Sequence, residues 1–239
     1  MADKYVKQFI SLINEIKLHD RYTVFNDWCA MTAISIQNAV WFRDDLEKEY
    51  ITTAKKYKPD EMDKFVQMAA VIVNAYEENR SRDFLGDVFM EMLLNDKAGK
   101  GQVFTPYNIA EAMAKMTFSK ENCEKMFDGK KYIKIHDPAV GGGCLLIAAA
   151  NQLQEQGYNP QKDCCMLAID LDRRCVFMTY IQLSVLGIPA IVLRGDTLKY
   201  EMSEEYHTPA YVWDYVRFRD FTTKAEPDVK QEKGQLELF

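Results

Sequence analysis

A glycine-rich segment from Asp137 to Gly143 (DPAVGGG) is the strongest candidate for chemistry in this chain. Glycines let the backbone pass close under a ligand, and the segment lies between a predicted strand and a predicted helix. Open α/β folds bind their ligands at that edge of the sheet. A glycine run alone is weak evidence, because a tight connection between strand and helix has the same composition.

Two acidic residues follow at the ends of the next two predicted strands. Asp170, about thirty residues after the glycine segment, is placed to accept hydrogen bonds from a ribose diol. It could instead cap the following helix, a role that Asp172 could fill equally well. Asp196 could accept a hydrogen bond from an adenine amino group, or it could simply belong to an ordinary turn.

Upstream, Phe104, Thr105 and Pro106 open a predicted helix, with Thr105 as the N-cap and Pro106 at the first helical position. Many helices begin in this way, so the pattern has a purely structural interpretation. Phe104 would nevertheless be well placed to offer an aromatic face to a ligand.

The elements that must position these residues alternate between strand and helix after Gly101. The predicted strands are 131–136, 164–169 and 191–194, and the predicted helices are 144–156 and 173–186. Such alternation predicts an α/β fold with a doubly wound, mostly parallel sheet. Residues 211–218 are predicted to add one more strand.

The first hundred residues have helical periodicity almost throughout, and Pro59 is preceded by neither glycine nor proline. One predicted helix follows an N-cap at Asp60, and another spans Asp83 to Leu94. The sequence therefore predicts three parts. They are a helical N-terminal domain at 1–98, an α/β domain at 99–221 and a flexible, charged tail at 222–239.

Taken together, the segments GQVFTP, DPAVGGG, AIDLD and RGDTL resemble the adenine-specific DNA methyltransferases. The order and spacing are similar to those of the modification subunits of type I restriction-modification systems. DFLGDVF resembles the end of the helical region of these enzymes, and the resemblance is specific from about Asp83 to Leu198. It implies a Rossmann-like methyltransferase fold that uses S-adenosylmethionine.

Carried over residue by residue, the resemblance implies that Phe104 and Thr105 flank the methionine end of the cofactor. Asp137, Gly141 and Gly143 would form the methionine and ribose cradle, which also contains Ala139. Asp170 would bind the ribose hydroxyls and Asp196 the adenine.

One motif of that family is missing. Its members carry Asn/Asp-Pro-Pro-aromatic after the third strand, where it binds the amino group of the flipped adenine. The only candidate here is Thr208-Pro209-Ala210-Tyr211, which lacks the carboxamide or carboxylate and one proline. The chain also stops before the remaining strands of a full methyltransferase sheet, so we expect a truncated sheet without a pocket for an extruded base.

The last five residues form an independent signal. Gln235, Leu236, Leu238 and Phe239 resemble the short peptide by which bacterial DNA polymerases and repair proteins bind the sliding clamp. The alternative is a purely structural role, in which Leu238 and Phe239 fold back onto the protein itself.

Two hypotheses follow. The chain is an adenine-specific DNA methyltransferase that needs a partner subunit, or it is a catalytically silent methyltransferase fold that acts as a clamp-bound accessory protein. A methyltransferase for RNA or small molecules fits the motifs less well.

The composition of the chain bears on DNA binding, on metal binding and on cellular location. The net charge of −6 argues against strong DNA binding by this chain alone, so we expect DNA to be bound weakly or through a partner. Six cysteines without a CxxC pair and three isolated histidines predict buried thiols and no metal site. With neither a signal peptide nor an apolar stretch of about 20 residues, the sequence predicts a cytoplasmic protein without a membrane span. It is also compatible with an oligomer.

Overall fold

The structure is a computed structural model that describes residues 3–94 and 104–223. Its first part is helical, as the sequence predicts. The helices are α1 (Lys4–Glu15), α2 (Arg21–Val40), α3 (Asp44–Ala54), α4 (Pro59–Glu78) and α5 (Phe84–Leu94). Asp20 begins α2, because its carboxylate accepts hydrogen bonds from the backbone N–H groups of Tyr22 and Thr23, both at 3.0 Å.

The predicted N-cap of α4 at Asp60 is wrong. The helix begins at Pro59, and its N-cap is Lys58, two residues before the predicted cap. Proline is favoured at the first helical position because its ring fixes φ and its missing N–H is not needed there. The Glu61 carboxylate accepts a hydrogen bond from Lys58 N–H at 2.9 Å, so Asp60 lies inside the first turn.

The second part alternates between helices and strands. Its elements are α6 (Tyr107–Thr117), α7 (Lys120–Phe127), β1 (Ile133–Asp137), α8 (Cys144–Glu155), α9 (Pro160–Asp163), β2 (Cys164–Asp170), α10 (Arg173–Val185), β3 (Ala190–Asp196), β4 (Glu201–His207), α11 (Pro209–Trp213) and α12 (Tyr215–Thr223). The three predicted strands before residue 200 and the two helices between them are confirmed, with ends that differ by at most two residues.

The four strands form one sheet in the order β1-β2-β3-β4. The first three strands are parallel, and β4 is antiparallel to β3. This confirms the predicted mostly parallel α/β sheet behind a helical region. A doubly wound sheet would continue on the far side of β1, but no strand within 3–94 or 104–223 lies there, so β1 forms one edge.

Helices cover both faces of the sheet. Met166 and Ala168 of β2 belong to the large core that contains α8, α10 and the N-terminal helices. Cys165 faces the other way and packs in a small second core with Tyr211 and Phe218. Because side chains alternate along a strand, one strand serves both layers.

The predicted strand at 211–218 is wrong, since these residues belong to the end of α11 and the start of α12. Pro209 occupies the first turn of α11 and sets a helical φ there. Tyr211 of α11 and Phe218 of α12 both pack in the second core with Ile191.

Direct bonds join the N-terminal helices to the sheet. The side-chain oxygen of Gln37 in α2 accepts a hydrogen bond from His207 N–H at 2.9 Å, and both residues are buried. Arg173 in α10 forms ion pairs with Glu49 of α3 at 2.6 Å and Glu204 of β4 at 2.7 Å. Helices and sheet therefore share one continuous apolar core.

All six cysteines are buried free thiols, as predicted. No group of three His, Cys, Asp or Glu side chains in the described ranges is arranged to hold a metal ion. None of the described helices is both long and apolar enough to span a membrane.

Candidate functional site

Three aspartates lie together at the carboxyl edge of the parallel strands. Asp137 ends β1, Asp170 ends β2 and Asp196 ends β3. The register places Asp137 beside Ala168 and Asp170 beside Arg194, so the three strands end within a few residues of one another. The structure thus brings the predicted acidic residues to the edge where open α/β sheets bind ligands.

The glycine segment between β1 and α8 requires glycine at two positions. Gly141 and Gly143 have φ values of 56° and 99°, in the left-handed region that L side chains rarely adopt. A Cβ at Gly143 would lie 3.2 Å from Thr179 Oγ1. Gly143 is the N-cap of α8 and offers no side chain, so the first N–H groups of that helix are not capped by it. Such N–H groups favour a negatively charged ligand group.

Asp170 holds the glycine segment from the next strand. Its Oδ2 accepts a hydrogen bond from Gly141 N–H at 2.8 Å, and its Oδ1 accepts one from Asp172 N–H at 2.8 Å. The helix cap is Asp172, whose carboxylate accepts a hydrogen bond from Arg174 N–H. The alternative interpretation of Asp170 as the cap of α10 is therefore wrong.

Asp137 has a buried oxygen without a partner. Its Oδ1 accepts a hydrogen bond from Ala139 N–H at 3.1 Å, whereas no described group donates to its buried Oδ2. Burial raises the pKa of this carboxyl group, and the charge of Asp170 raises it further. A buried acceptor without a donor is costly, and this one fits a ligand that brings a hydrogen-bond donor.

Asp196 also shapes a turn. Its Oδ1 accepts hydrogen bonds from the N–H groups of Leu198 and Lys199 at 3.0 and 3.2 Å. Desolvation would raise its pKa, but the hydrogen bonds from Lys199 outweigh that effect and lower the pKa. The turn interpretation is thus confirmed, while the second carboxylate oxygen forms an ion pair with the exposed ammonium of Lys199 at 3.4 Å.

The Phe104 ring lies against the glycine segment, because a Cβ at Gly141 would be 3.3 Å from Phe104 Cδ1. It also packs on Phe89 of α5, with ring centroids 5.5 Å apart. The prediction that Thr105 caps α6 is wrong: the helix starts at Tyr107, its N-cap is Pro106, and no side chain caps it. Thr105 is exposed, and so is Ala139.

The Thr208-Pro209-Ala210-Tyr211 segment lies at the opposite edge of the sheet. Strand β4 runs antiparallel to β3, so Glu201 pairs with Asp196 and the chain then returns toward Ala190. Thr208 is fully buried, and its Oγ accepts a hydrogen bond from Ala190 N–H at 2.8 Å. With seven residues in β3, the segment is about 20 Å from Asp196. It cannot serve the site at the carboxyl edge.

Sequence reasoning missed two kinds of residue near the site. Asp83 is buried against Gly142, and its spacing to Gly86 was the available signal. Leu171 and Leu198 follow Asp170 and Asp196 in the chain and are 67% and 92% exposed. The C-terminal residues Gln235, Leu236, Leu238 and Phe239 lie outside the described residues.

The model of the N-6 DNA Methylase family matches residues 80–226, which is more than half of the chain. The chain belongs to this methyltransferase family.

Two further comparisons add little. A comparison with curated proteins finds no match. Among solved structures, the chain is similar to a putative class I S-adenosylmethionine-dependent methyltransferase from Listeria monocytogenes. That match has 17% identity and a TM-score of 0.37, and it covers 84% of this chain and 70% of that chain. A likeness this low carries no weight beside the family match and the sheet itself.

Proposed function

We propose that the chain binds S-adenosylmethionine at the carboxyl edge of its sheet and is the cofactor-binding subunit of an adenine-specific DNA methyltransferase. The observation that carries the proposal is the unpaired, buried Oδ2 of Asp137 beside the two left-handed glycines and Asp170. An acceptor in this position is costly unless a ligand donates to it. Membership in the N-6 DNA Methylase family supports the same reaction class.

The residues present fit the cofactor. Asp137, Gly141 and Gly143 would hold its methionine and ribose parts, with Ala139 in the same segment and Phe104 and Thr105 flanking the methionine end. Asp170 would accept hydrogen bonds from the ribose hydroxyls while its present bonds keep the carboxylate in place.

Asp196 has one carboxylate oxygen that no backbone group occupies, which suits the amino group of adenine. Exposed Leu171 and Leu198 offer apolar contact to the flat adenine ring. The cofactor supplies an electrophilic methyl group on its sulfonium. The role of this chain is to bind and orient that group.

We propose that a partner subunit supplies the acceptor side of the reaction. The Pro-aromatic segment that follows the third strand is about 20 Å from Asp196, at the wrong edge of the sheet. A net charge of −6 also gives this chain little attraction for DNA phosphates. Target recognition, the adenine-binding motif and most of the DNA contact would then come from a second chain, as in a restriction-modification system.

The test separates cofactor binding from methyl transfer. Calorimetric titration of the full chain with S-adenosylmethionine should show binding, and no heat at millimolar ligand overturns the proposal. Tritiated-methyl incorporation into varied DNA is then measured with the chain alone and with the proteins encoded beside it. Transfer only in the mixture supports a subunit of an active enzyme.

The second candidate function is that of a catalytically silent accessory protein. The location of Thr208 at the far edge favours it, because the described residues then place no acceptor motif at the site. In this case the C-terminal peptide binds the sliding clamp. Cofactor binding without transfer in any mixture, together with clamp binding, would select this function over the first.

A further inference from the structure

A buried hydrogen-bond network connects the N-terminal helices to the back of the glycine segment. Gln182 of α10 is its centre: its Nε2 donates to Asp83 Oδ1 at 2.8 Å and to the Gly142 carbonyl at 2.6 Å. Its Oε1 accepts from the Tyr76 hydroxyl and from Leu85 N–H. Every polar atom of this fully buried amide therefore has a partner. We call these residues the Gln182 network.

The Asp83 carboxyl group packs closely against two glycines. Its Oδ1 also accepts a hydrogen bond from Gly86 N–H at 2.9 Å. A Cβ on Gly86 would lie 2.2 Å from Asp83 Oδ2, and a Cβ on Gly142 would lie 2.7 Å from the same oxygen. Both distances are far below van der Waals contact. The carboxyl group thus requires glycine in α5, which Asp83 directly precedes, and in the loop that faces the candidate site.

The charge of Asp83 is not neutralised by a neighbour. It is 3% exposed, and none of the described cations forms an ion pair with it. The adjacent Arg82 pairs with Asp3 and Asp87 instead. The other titratable groups that face Asp83 are Tyr76 on α4 and Cys144 on α8.

The pKa of Asp83 follows from these surroundings. Burial raises it to about 6; the hydrogen bonds from Gln182 and Gly86 and the charge of Arg82 act in the opposite direction. Asp87 raises it further, and the buried Tyr76 and Cys144 are neutral, because burial raises the pKa of each. The protein thus keeps an uncompensated carboxylate near neutral pH, which costs stability.

We infer that Asp83 is a positioning residue for the cofactor. It fixes the Gly142 carbonyl through Gln182, and its negative charge attracts a cationic ligand on the other side of the glycine segment. S-adenosylmethionine carries positive charge on its sulfonium and ammonium groups, so an ionised carboxylate behind its cradle favours binding. This inference rests on the proposed function.

The test is calorimetric titration of the full chain with S-adenosylmethionine at pH 7.5 and pH 5.5. Because Asp83 becomes protonated over this range, we expect wild-type affinity to fall about three-fold at the lower pH. Asp83→Asn keeps the shape and one acceptor oxygen but removes the charge. We expect it to bind about ten-fold more weakly at pH 7.5, with a smaller change between the two pH values.

Two control variants separate charge from scaffolding. Asp87→Asn removes a neighbouring carboxylate that pairs with Arg82 and should keep wild-type affinity. Tyr76→Phe removes one hydrogen bond to Gln182 without changing any charge, so it should lower the melting temperature but keep the wild-type pH profile.

Unchanged affinity in Asp83→Asn overturns the inference, and so does weaker binding with the full wild-type pH dependence. If wild type shows no binding at all, the proposed function fails and the inference fails with it. Should Asp83→Asn not fold, titration of wild type in buffers of different ionisation enthalpy replaces it. Release of about 0.4 proton on binding at pH 6 is expected, and no release overturns the inference.

Discussion

Thr208 and Asp196 lie at opposite ends of strand β3. Asp196 ends the strand at the carboxyl edge, whereas the Thr208 hydroxyl accepts a hydrogen bond from Ala190 N–H where the strand begins. The Thr208–Tyr211 segment, which was the candidate acceptor motif in the sequence, therefore does not lie near the glycine segment.

The purified chain alone should not methylate DNA. Neither the described carboxyl edge nor the net charge offers a way to bind an extruded adenine. Tritiated-methyl incorporation into genomic DNA is the measurement. Pro209→Ala is the informative variant. If wild type transferred methyl groups and this variant did not, the Thr208–Tyr211 segment would take part in the reaction, which would contradict its location at the far edge of the sheet.

Asp170→Ala should weaken S-adenosylmethionine binding by about 1–3 kcal/mol, because ribose hydroxyls lose their acceptor and Gly141 N–H loses its partner. Calorimetry gives the affinity. The matched control is Asp172→Ser, which removes the neighbouring carboxylate but keeps an oxygen to cap α10. Its affinity should equal that of wild type. Equal affinities for Asp170→Ala and wild type would show that Asp170 only supports the loop.

The free energy of unfolding should depend on pH through Asp83. Its pKa rises from 3.8 in the unfolded chain to about 6 in the folded protein. Folding therefore favours the protonated form, so the stability contributed by Asp83 is present below pH 4 and lost as pH rises through 6. Relative to wild type, Asp83→Asn should gain about 2–3 kcal/mol of stability between pH 4 and pH 7. Urea unfolding at both pH values measures this, and parallel curves would contradict it.

Arg173→Met should destabilise the protein by about 1–3 kcal/mol, because it leaves the half-buried Glu204 and Glu49 without their shared cation. Lys48→Met is the control, since Lys48 forms an exposed pair with Asp44 on the same helix as Glu49. That variant should stay within about 0.5 kcal/mol of wild type. Equal losses in urea unfolding would mean that the Arg173 bridge is no stronger than a surface pair.

The C-terminal pentapeptide should bind the bacterial sliding clamp. Leu236, Leu238 and Phe239 follow a charged stretch, and burying each would contribute about 1.5–3 kcal/mol before the cost of ordering the peptide. We expect micromolar affinity. A pull-down of the clamp compares the intact chain with one ending at Gly234. Equal recovery, or none from either, removes the clamp hypothesis, and a lower melting temperature of the shorter chain would indicate that the peptide packs on the protein itself.

Strands β2 and β3 were predictable because each contains an apolar run that ends near an aspartate, and β1 because Ile133 and Ile135 alternate with polar residues before Asp137. The sequence did not reveal β4, because Glu201–His207 is rich in charge, and Glu204 pairs with Arg173 and Arg194 on neighbouring elements. The aromatic residues at 211–218 favoured a strand by composition. These residues form helices instead, because Pro209 sets a helical φ at the start of α11 and both Tyr211 and Phe218 pack in the second core.

The candidate site was predictable where single residues follow strands and less so where distant residues meet. The bond from Gly141 to Asp170 joins neighbours in the expected sheet. The contact between Asp83 and Gly142 joins residues 59 positions apart. It depends on how α5 packs against α10, which no local pattern encodes.

The hydrogen bond from His207 N–H to Gln37 crosses from the sheet into α2, inside a core that runs from Val6 to Tyr206 without a break. Cooperative unfolding follows from such a core, because neither part can open without exposing apolar surface of the other. The helices and the sheet should therefore melt in one transition, with the same midpoint whether helix content or tyrosine fluorescence is monitored. Because the core is continuous, a chain beginning at residue 99 would lack the helices that cover one side of its apolar core.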